Sequence, residues 1–343
     1  MFLQKEINEQ PQVIARLYQE ERDNIKQIAA AIRAFDPAFV VIAARGTSDN
    51  AARYAQYLFG AQAGLSVGLS APSLHTLYQT PPTLKRALVI GISQSGQAED
   101  VRRVLEDANK QGALTLAITN NIESPMAKTA QYHIDLMAGE EISIAATKTY
   151  TAQLMTIALL VAELVENDAM RAVLADLPRS IQTTLDYSAD IPNWADRYRY
   201  MTQFATIGRG YNYATAFEIS LKVKELCYIT GEGYSEADFR HGPIATVGQG
   251  FPMVIVAPQG VVLPNVQDLI NKLKERGAEL LIISNDETVL AMGLQQMRVP
   301  VVPEWVSPIV TVIPGQVFAM QQALVRGYAV DKPRGLSKVT VTQ

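Results

Sequence analysis

Short unbroken apolar runs alternate along this chain with stretches whose apolar residues recur every three or four positions. VVIAARG at 40–46 is followed by a helical pattern over 48–63, ALVIG at 87–91 by a second over 98–111, and GALTLAITN at 112–120 closes the set. The succession then repeats: FATIGRG at 204–210, helical patterns over 213–228 and 265–276, and GAELLIISN at 277–285. Matching segments start at 40 and 204 and at 112 and 277, offsets of 164 and 165 residues, so a single register relates the two halves. Short apolar strands alternating with helices predict parallel sheets covered on both faces. The chain reads as two tandem doubly wound α/β domains, over 28–165 and 195–330, related by internal duplication. An N-terminal helix over 1–27 precedes them, its apolar spacing (Ile7, Val13, Leu17, Ile25) running on to Ile32. A helical connector over 166–194, punctuated by Pro178 and Pro192, joins them.

Composition narrows the setting. The 343 residues suit about two domains at roughly 150 residues each, and 48% apolar with 19% charged residues is ordinary for a globular core. Thirty basic against thirty-four acidic residues give a net charge of −4, which offers no basic face for nucleic acid or an anionic membrane. The start, MFLQKEINEQP, lacks a signal-peptide core, and the apolar run TIALLVAELV at 156–165 is too short to span a bilayer and carries Glu163. A soluble, cytoplasmic protein is expected. Cys227, the one cysteine, excludes an internal disulfide and argues against a cysteine-based metal site; no metal or cofactor is called for.

In doubly wound sheets ligands sit beyond the carboxyl ends of the strands. At one such turn lies ISQSGQAED (92–100). Free backbone N–H groups and the dipole of the following helix favour an anion there, and Ser93, Gln94 and Ser95, ahead of Gly96, add donors. Thr47 and Ser48 occupy the preceding strand-to-helix turn. The duplicate is a control: its corresponding loop, APQG at 257–260, carries neither hydroxyl, so the fold does not require them. A competing account is that one serine merely N-caps the helix. Neither GxxxxGK[ST] nor a complete GxGxxG is present, so a small-molecule phosphate monoester fits better than a nucleotide.

The second half places its polarity elsewhere. In FEISLKVKELCY, Glu218, Lys222 and Glu225 fall at i, i+4 and i+7 on one helical face. Spacing alone permits a solvated charge stripe, but the helix is otherwise apolar and follows the GRG turn. His241, in RHGP, is the best histidine candidate of three, since His133 lies in an apolar run and His75 has no partner nearby in sequence. A carboxylate, a cation and a histidine near a phosphate pocket suit proton transfer on a sugar phosphate, and histidine titrates in the range needed for ring opening.

SQSG, AATKTYTAQL at 145–154, AFEISLKVKE at 216–225, HGP at 241–243 and PRGLSKVTV at 333–341, in that order, resemble the isomerase half of the glucosamine-6-phosphate synthase family, two flavodoxin-like SIS (sugar isomerase) domains. The resemblance implies that Thr47, Ser48, Ser93, Gln94, Ser95 and Gly96, with Thr147, hold the sugar phosphate. It also implies Glu225 as the base between C1 and C2, Lys222 as its assistant at the enol oxygen, and His241 as the ring opener serving the neighbouring subunit of a homodimer. Lys338, on a tail (331–343) entering the active site, becomes the amine that meets the ketose carbonyl. Three departures matter: no glutaminase domain with its cysteine nucleophile accompanies these residues, Ala98 replaces a phosphate-contacting threonine, and Ala146 replaces the serine of ASTK. The AATK, FRHGP and PRGLSKVT forms look closer to stand-alone SIS proteins. The expected activity is an isomerase/deaminase of amino-sugar metabolism, linking glucosamine 6-phosphate with fructose 6-phosphate and ammonia. The alternatives are a fructosamine-phosphate deglycase, another ketose/aldose phosphate isomerase, and a sugar-phosphate sensor without turnover.

Overall fold

A computed structural model describes residues 1–338. Two five-stranded sheets form, every pairing parallel. The first contains β1 (Phe39–Ala43), β2 (Val67–Leu69), β3 (Ala87–Ser93), β4 (Leu114–Thr119) and β5 (Tyr132–Asp135), in the order β2-β1-β3-β4-β5. The second contains β6 (Gln203–Gly208), β7 (Thr230–Ser235), β8 (Pro252–Val256), β9 (Glu279–Ser284) and β10 (Gln295–Arg298), ordered β10-β9-β8-β6-β7. Read from the other edge, that is the same topology, the flavodoxin-like doubly wound order. The duplication seen in the sequence is thus a duplication of topology.

The predicted helices appear with small shifts of boundary: Thr47–Ala63, Glu99–Lys110, Tyr213–Cys227 and Leu263–Glu275. Strands β3 and β4 are buried along almost their whole length, which is why they read as continuous rather than alternating apolar runs. Ile90 pairs with Leu116 and Ile92 with Ile118 along their shared edge. The connector is one helix, Asp168–Tyr187, that continues through Pro178, then a short turn and the Ile191–Ala195 helix. The N-terminal stretch is two helices, Phe2–Asn8 and Gln10–Phe35, rather than one. Pro11 at the start of the second explains the break, because proline fits the first helical turn and not a helix interior.

The chain divides into two compact units. One holds the first sheet: Glu9–Glu141, Lys148–Pro178 and, at the tail, Ser337 and Lys338. The other holds the second sheet: Met1–Asn8, Ile142–Thr147 and Arg179–Leu336. In the second unit the buried Glu6 accepts hydrogen bonds from the backbone N–H groups of Ile142 (2.5 Å) and Ser143 (3.2 Å), and the partly buried Asp331 accepts from Leu3 N–H (2.8 Å), so the far-separated pieces of chain are tied by carboxylates. One stretch, Glu304–Val325, is long and apolar enough to cross a membrane by length and composition, and 83% of its most apolar window is buried inside the protein. The apolar run at 156–165 noted in the sequence lies, all but Val165, within a wholly buried helix, Lys148–Leu164.

Candidate functional site

In the first unit β3 ends at Ser93 and the next helix begins only at Glu99. The intervening loop is shaped by its own hydroxyls: Ser93 Oγ accepts from Gly96 N–H (3.1 Å) and Ser95 Oγ from Gln97 N–H (3.3 Å). Neither serine caps the helix. Its N-cap position is Ala98, which makes no side-chain cap bond, so capping does not account for the two hydroxyls. Each accepts one bond and keeps its own proton to donate. Gly96 has φ +65°, and a Cβ there would lie 2.2 Å from Ser124 Oγ, so the turn demands glycine.

Below the loop, Ser124 caps the Pro125–Thr129 helix by accepting from Ala127 N–H (3.2 Å). Thr119, at the end of β4, donates to Asn121 O (3.0 Å) and therefore accepts from His133 Nε2 at 2.8 Å. Burial pushes His133 below its ordinary 6.5, with the charge of Asp135 opposing. Ser48 is buried and accepts from Gln153 Nε2 at 2.9 Å, while Thr47 starts the Thr47–Ala63 helix behind Gly46.

Lys338 donates to Glu141 Oε2 at 2.9 Å. That carboxylate is buried and also accepts from Thr149 Oγ1 at 2.7 Å and Thr149 N–H at 3.2 Å. The tail lysine therefore sits on a carboxylate that the sequence reading did not single out.

The second unit holds Thr147, Lys222, Glu225 and His241. On the Tyr213–Cys227 helix, Lys222 is 1% exposed; its Nζ lies 2.5 Å from Glu225 and 3.4 Å from Glu218, which is 0% exposed, whereas Glu225 is 23% exposed. A solvated charge stripe is thereby excluded. Burying an ammonium is costly unless it is paired, and the two carboxylates pair it. Thr147 is buried, and its carbonyl accepts from Gln316 Nε2 at 3.4 Å. His241 is exposed at the end of the Glu236–Arg240 helix, and its ring makes no hydrogen bond or ion pair among the described residues.

Other expectations need adjusting. His75, without a partner close in sequence, pairs through Nδ1 with Asp107 at 3.1 Å, both side chains buried. Burial alone would raise Asp107, but its bonds to Lys110 and His75 and the charge of Arg103 hold it below the usual carboxylate range. Cys227 is the last residue of its helix, and burial pushes its thiol up to about 12, unsuited to nucleophilic work at neutral pH. Among the described residues no cluster of His, Cys, Asp or Glu is arranged to hold a metal ion.

A model of the SIS domain matches residues 36–163 and 202–326, one match over each sheet. The chain belongs to the SIS domain family. Among its relatives, the glutamine–fructose-6-phosphate aminotransferase (isomerizing) of Gloeobacter violaceus is 37% identical over 360 residues, covering 99% of this SIS chain and 58% of that protein. The chain thus spans a little over half the length of the curated relatives it matches. The C-terminal domain of glucosamine-fructose-6-phosphate aminotransferase from Francisella tularensis superposes with a TM-score of 0.88 at 24% identity, over 97% of this chain and 98% of that one. Glucosamine-6-phosphate deaminase from Thermotoga maritima gives 0.81 at 22%, over the full length of both. At those identities the two structures speak for a shared double-SIS fold.

Proposed function

We propose that this SIS protein is a sugar-phosphate isomerase that deaminates an amino-sugar phosphate, interconverting glucosamine 6-phosphate with fructose 6-phosphate and ammonia. The hydroxyl loop, with Thr47, Ser48, Ser93, Gln94, Ser95 and Gly96, grips the phosphate, and Thr147 contributes to sugar contacts. His241 opens the pyranose ring, acting on the site of the neighbouring subunit in a homodimer. Glu225 removes the C2 proton and returns it at C1, while Lys222 stabilises the oxygen that gains charge on the way. The resulting C2 imine takes up water, and ammonia leaves as the ketose carbonyl forms. Lys338 is the amine that engages that carbonyl in the open chain.

One observation carries the choice of an enzyme over a binding-only module: Lys222 buried between Glu218 and Glu225, with only Glu225 partly exposed. Recognition of a phosphate needs no such buried acid–base pair. A desolvated ammonium beside an accessible carboxylate is the arrangement that proton transfer through an enolamine calls for. The relatives' activity on fructose 6-phosphate supports the substrate class.

Ammonia release from a panel of amino-sugar 6-phosphates and fructosamine phosphates tests the reading. Glucosamine 6-phosphate is expected to be turned over by the native protein. In Glu225→Gln turnover falls by about 10²–10⁴, the range of a lost general base, with binding retained. Turnover of a fructosamine phosphate alone would reassign the activity to a deglycase. Binding without turnover of any substrate would leave a sensor.

A further inference from the structure

The hydroxyl loop carries no formal charge, yet a sugar phosphate is a dianion at neutral pH. We propose that Arg45 supplies the positive charge of the phosphate site and that Asp100 is the residue that positions it; this rests on the phosphate-binding role given to the loop above. Asp100 lies in the first turn of the helix that follows the loop and is 0% exposed. Its Oδ2 accepts from Arg45 Nε and Nη2, both at 2.7 Å, and its Oδ1 from Val101 N–H at 2.9 Å. A carboxylate so deeply buried requires its cation, which fixes the guanidinium against the start of that helix. Arg45 is nevertheless 51% exposed, and its Nη1 makes no hydrogen bond or ion pair among the described residues. Ala43 of β1 pairs with Gly91 of β3. Two residues beyond each, Arg45 and Ser93 stand on facing rims of the crevice between β1 and β3, where the strand order reverses and where this topology receives ligands.

The duplicate supplies independent support. At the matching register the second copy has Arg209 and then Gly210, φ +60°, as the first has Arg45 and then Gly46, φ +55°. Arg209 is likewise held by a buried acid, Glu236. There the loop after β8 receives a carboxylate from the same unit: Glu304 Oε2 accepts from Val261 N–H at 2.8 Å, and a Cβ on Gly260 would lie 2.2 Å from Glu304 Cδ. The Glu304–Val306 turn packs on the Gly210–Asn212 turn that follows Arg209. The second copy thus seats an anion of its own between its arginine turn and its loop, and the same geometry in the first copy seats a phosphate.

Calorimetric binding of fructose 6-phosphate, inorganic phosphate and unphosphorylated fructose, at low and high salt, tests the inference. Arg45→Ala is expected to weaken binding of fructose 6-phosphate by about 10- to 100-fold, as for a lost charged hydrogen bond, to flatten the salt dependence, and to leave fructose unaffected. Arg45→Lys recovers part of the loss. The double variant Arg45→Ala/Asp100→Asn, which leaves no unpaired buried carboxylate, guards against misfolding and is expected to bind as weakly as Arg45→Ala. Native-like affinity for fructose 6-phosphate in a folded Arg45→Ala or double variant would overturn the role of Arg45 while leaving the hydroxyl loop intact as the phosphate site. Failure of the native protein to bind either phosphate would overturn the loop's role, and this inference with it.

Discussion

Lys222 and Glu225 are adjacent on one helix face, but their exposures assign them different costs on removal. Replacing Lys222 by Met leaves Glu218 buried without its cation, and breaking a buried pair in this way destabilises by about 3–5 kcal/mol. Urea denaturation of Lys222→Met should show that loss as a lower midpoint. Glu225, partly exposed, can rehydrate when its partner changes, so Glu225→Gln should keep its midpoint within about 1 kcal/mol of native. Equal destabilisation of the two variants would contradict the asymmetry in burial. His133 adds a pH dependence. Its folded-state pKa lies below 6.5 because of burial, so as pH falls through 6.5 the unfolded chain takes up the proton first. The stability contributed by neutral His133 is therefore complete above 6.5 and is lost as pH drops from there towards the folded value. The change in urea midpoint between pH 7.5 and pH 5.5 should be smaller in His133→Gln than in the native protein.

At the scale of elements, the loops after β3 and β8 are two solutions of one turn. The first is closed by its own serines and by Ser124 beneath Gly96; the second is closed by Glu304. Gly96→Ala imposes a left-handed conformation on an L-residue and drives a methyl into Ser124, a cost of about 2–4 kcal/mol. Its thermal midpoint should fall accordingly, and any loop that survives should bind sugar phosphate poorly. Strands and helices were legible in the sequence because burial on both faces makes β3 and β4 continuous apolar runs, and because the repeat checks every assignment twice. The loop's polarity was legible for the same reason: APQG lacks what SQSG has. Its supports were not. Asp100 meets Arg45 across 55 residues of sequence, Gln153 meets Ser48 across 105, and Glu141 meets Lys338 across 197. Such pairings are set by which strands lie side by side, and no local pattern encodes them. One clue was available: ARG and GRG place an arginine before glycine at the same register in both copies.

For the whole molecule, the weightiest consequence of the proposed mechanism concerns two copies of the chain. His241 is exposed and its ring has no partner among the described residues, which suits a side chain that completes its surroundings on another subunit. If each site takes Glu225 from one chain and His241 from the other, a two-fold dimer has two equivalent composite sites. Glu225→Gln and His241→Ala homodimers should then both be inactive, since each of their sites lacks one group. In a mixed dimer both defects fall in a single site, and the other site regains native Glu225 and native His241. Unfolding and refolding the two variants together in equal amounts makes half the dimers mixed, and recovery of about a quarter of native activity is expected. If both residues of a site came from the same chain, every site in the mixture would carry one defect and no activity would return. Ammonia release before and after co-refolding, normalised to native protein taken through the same cycle, decides between these arrangements.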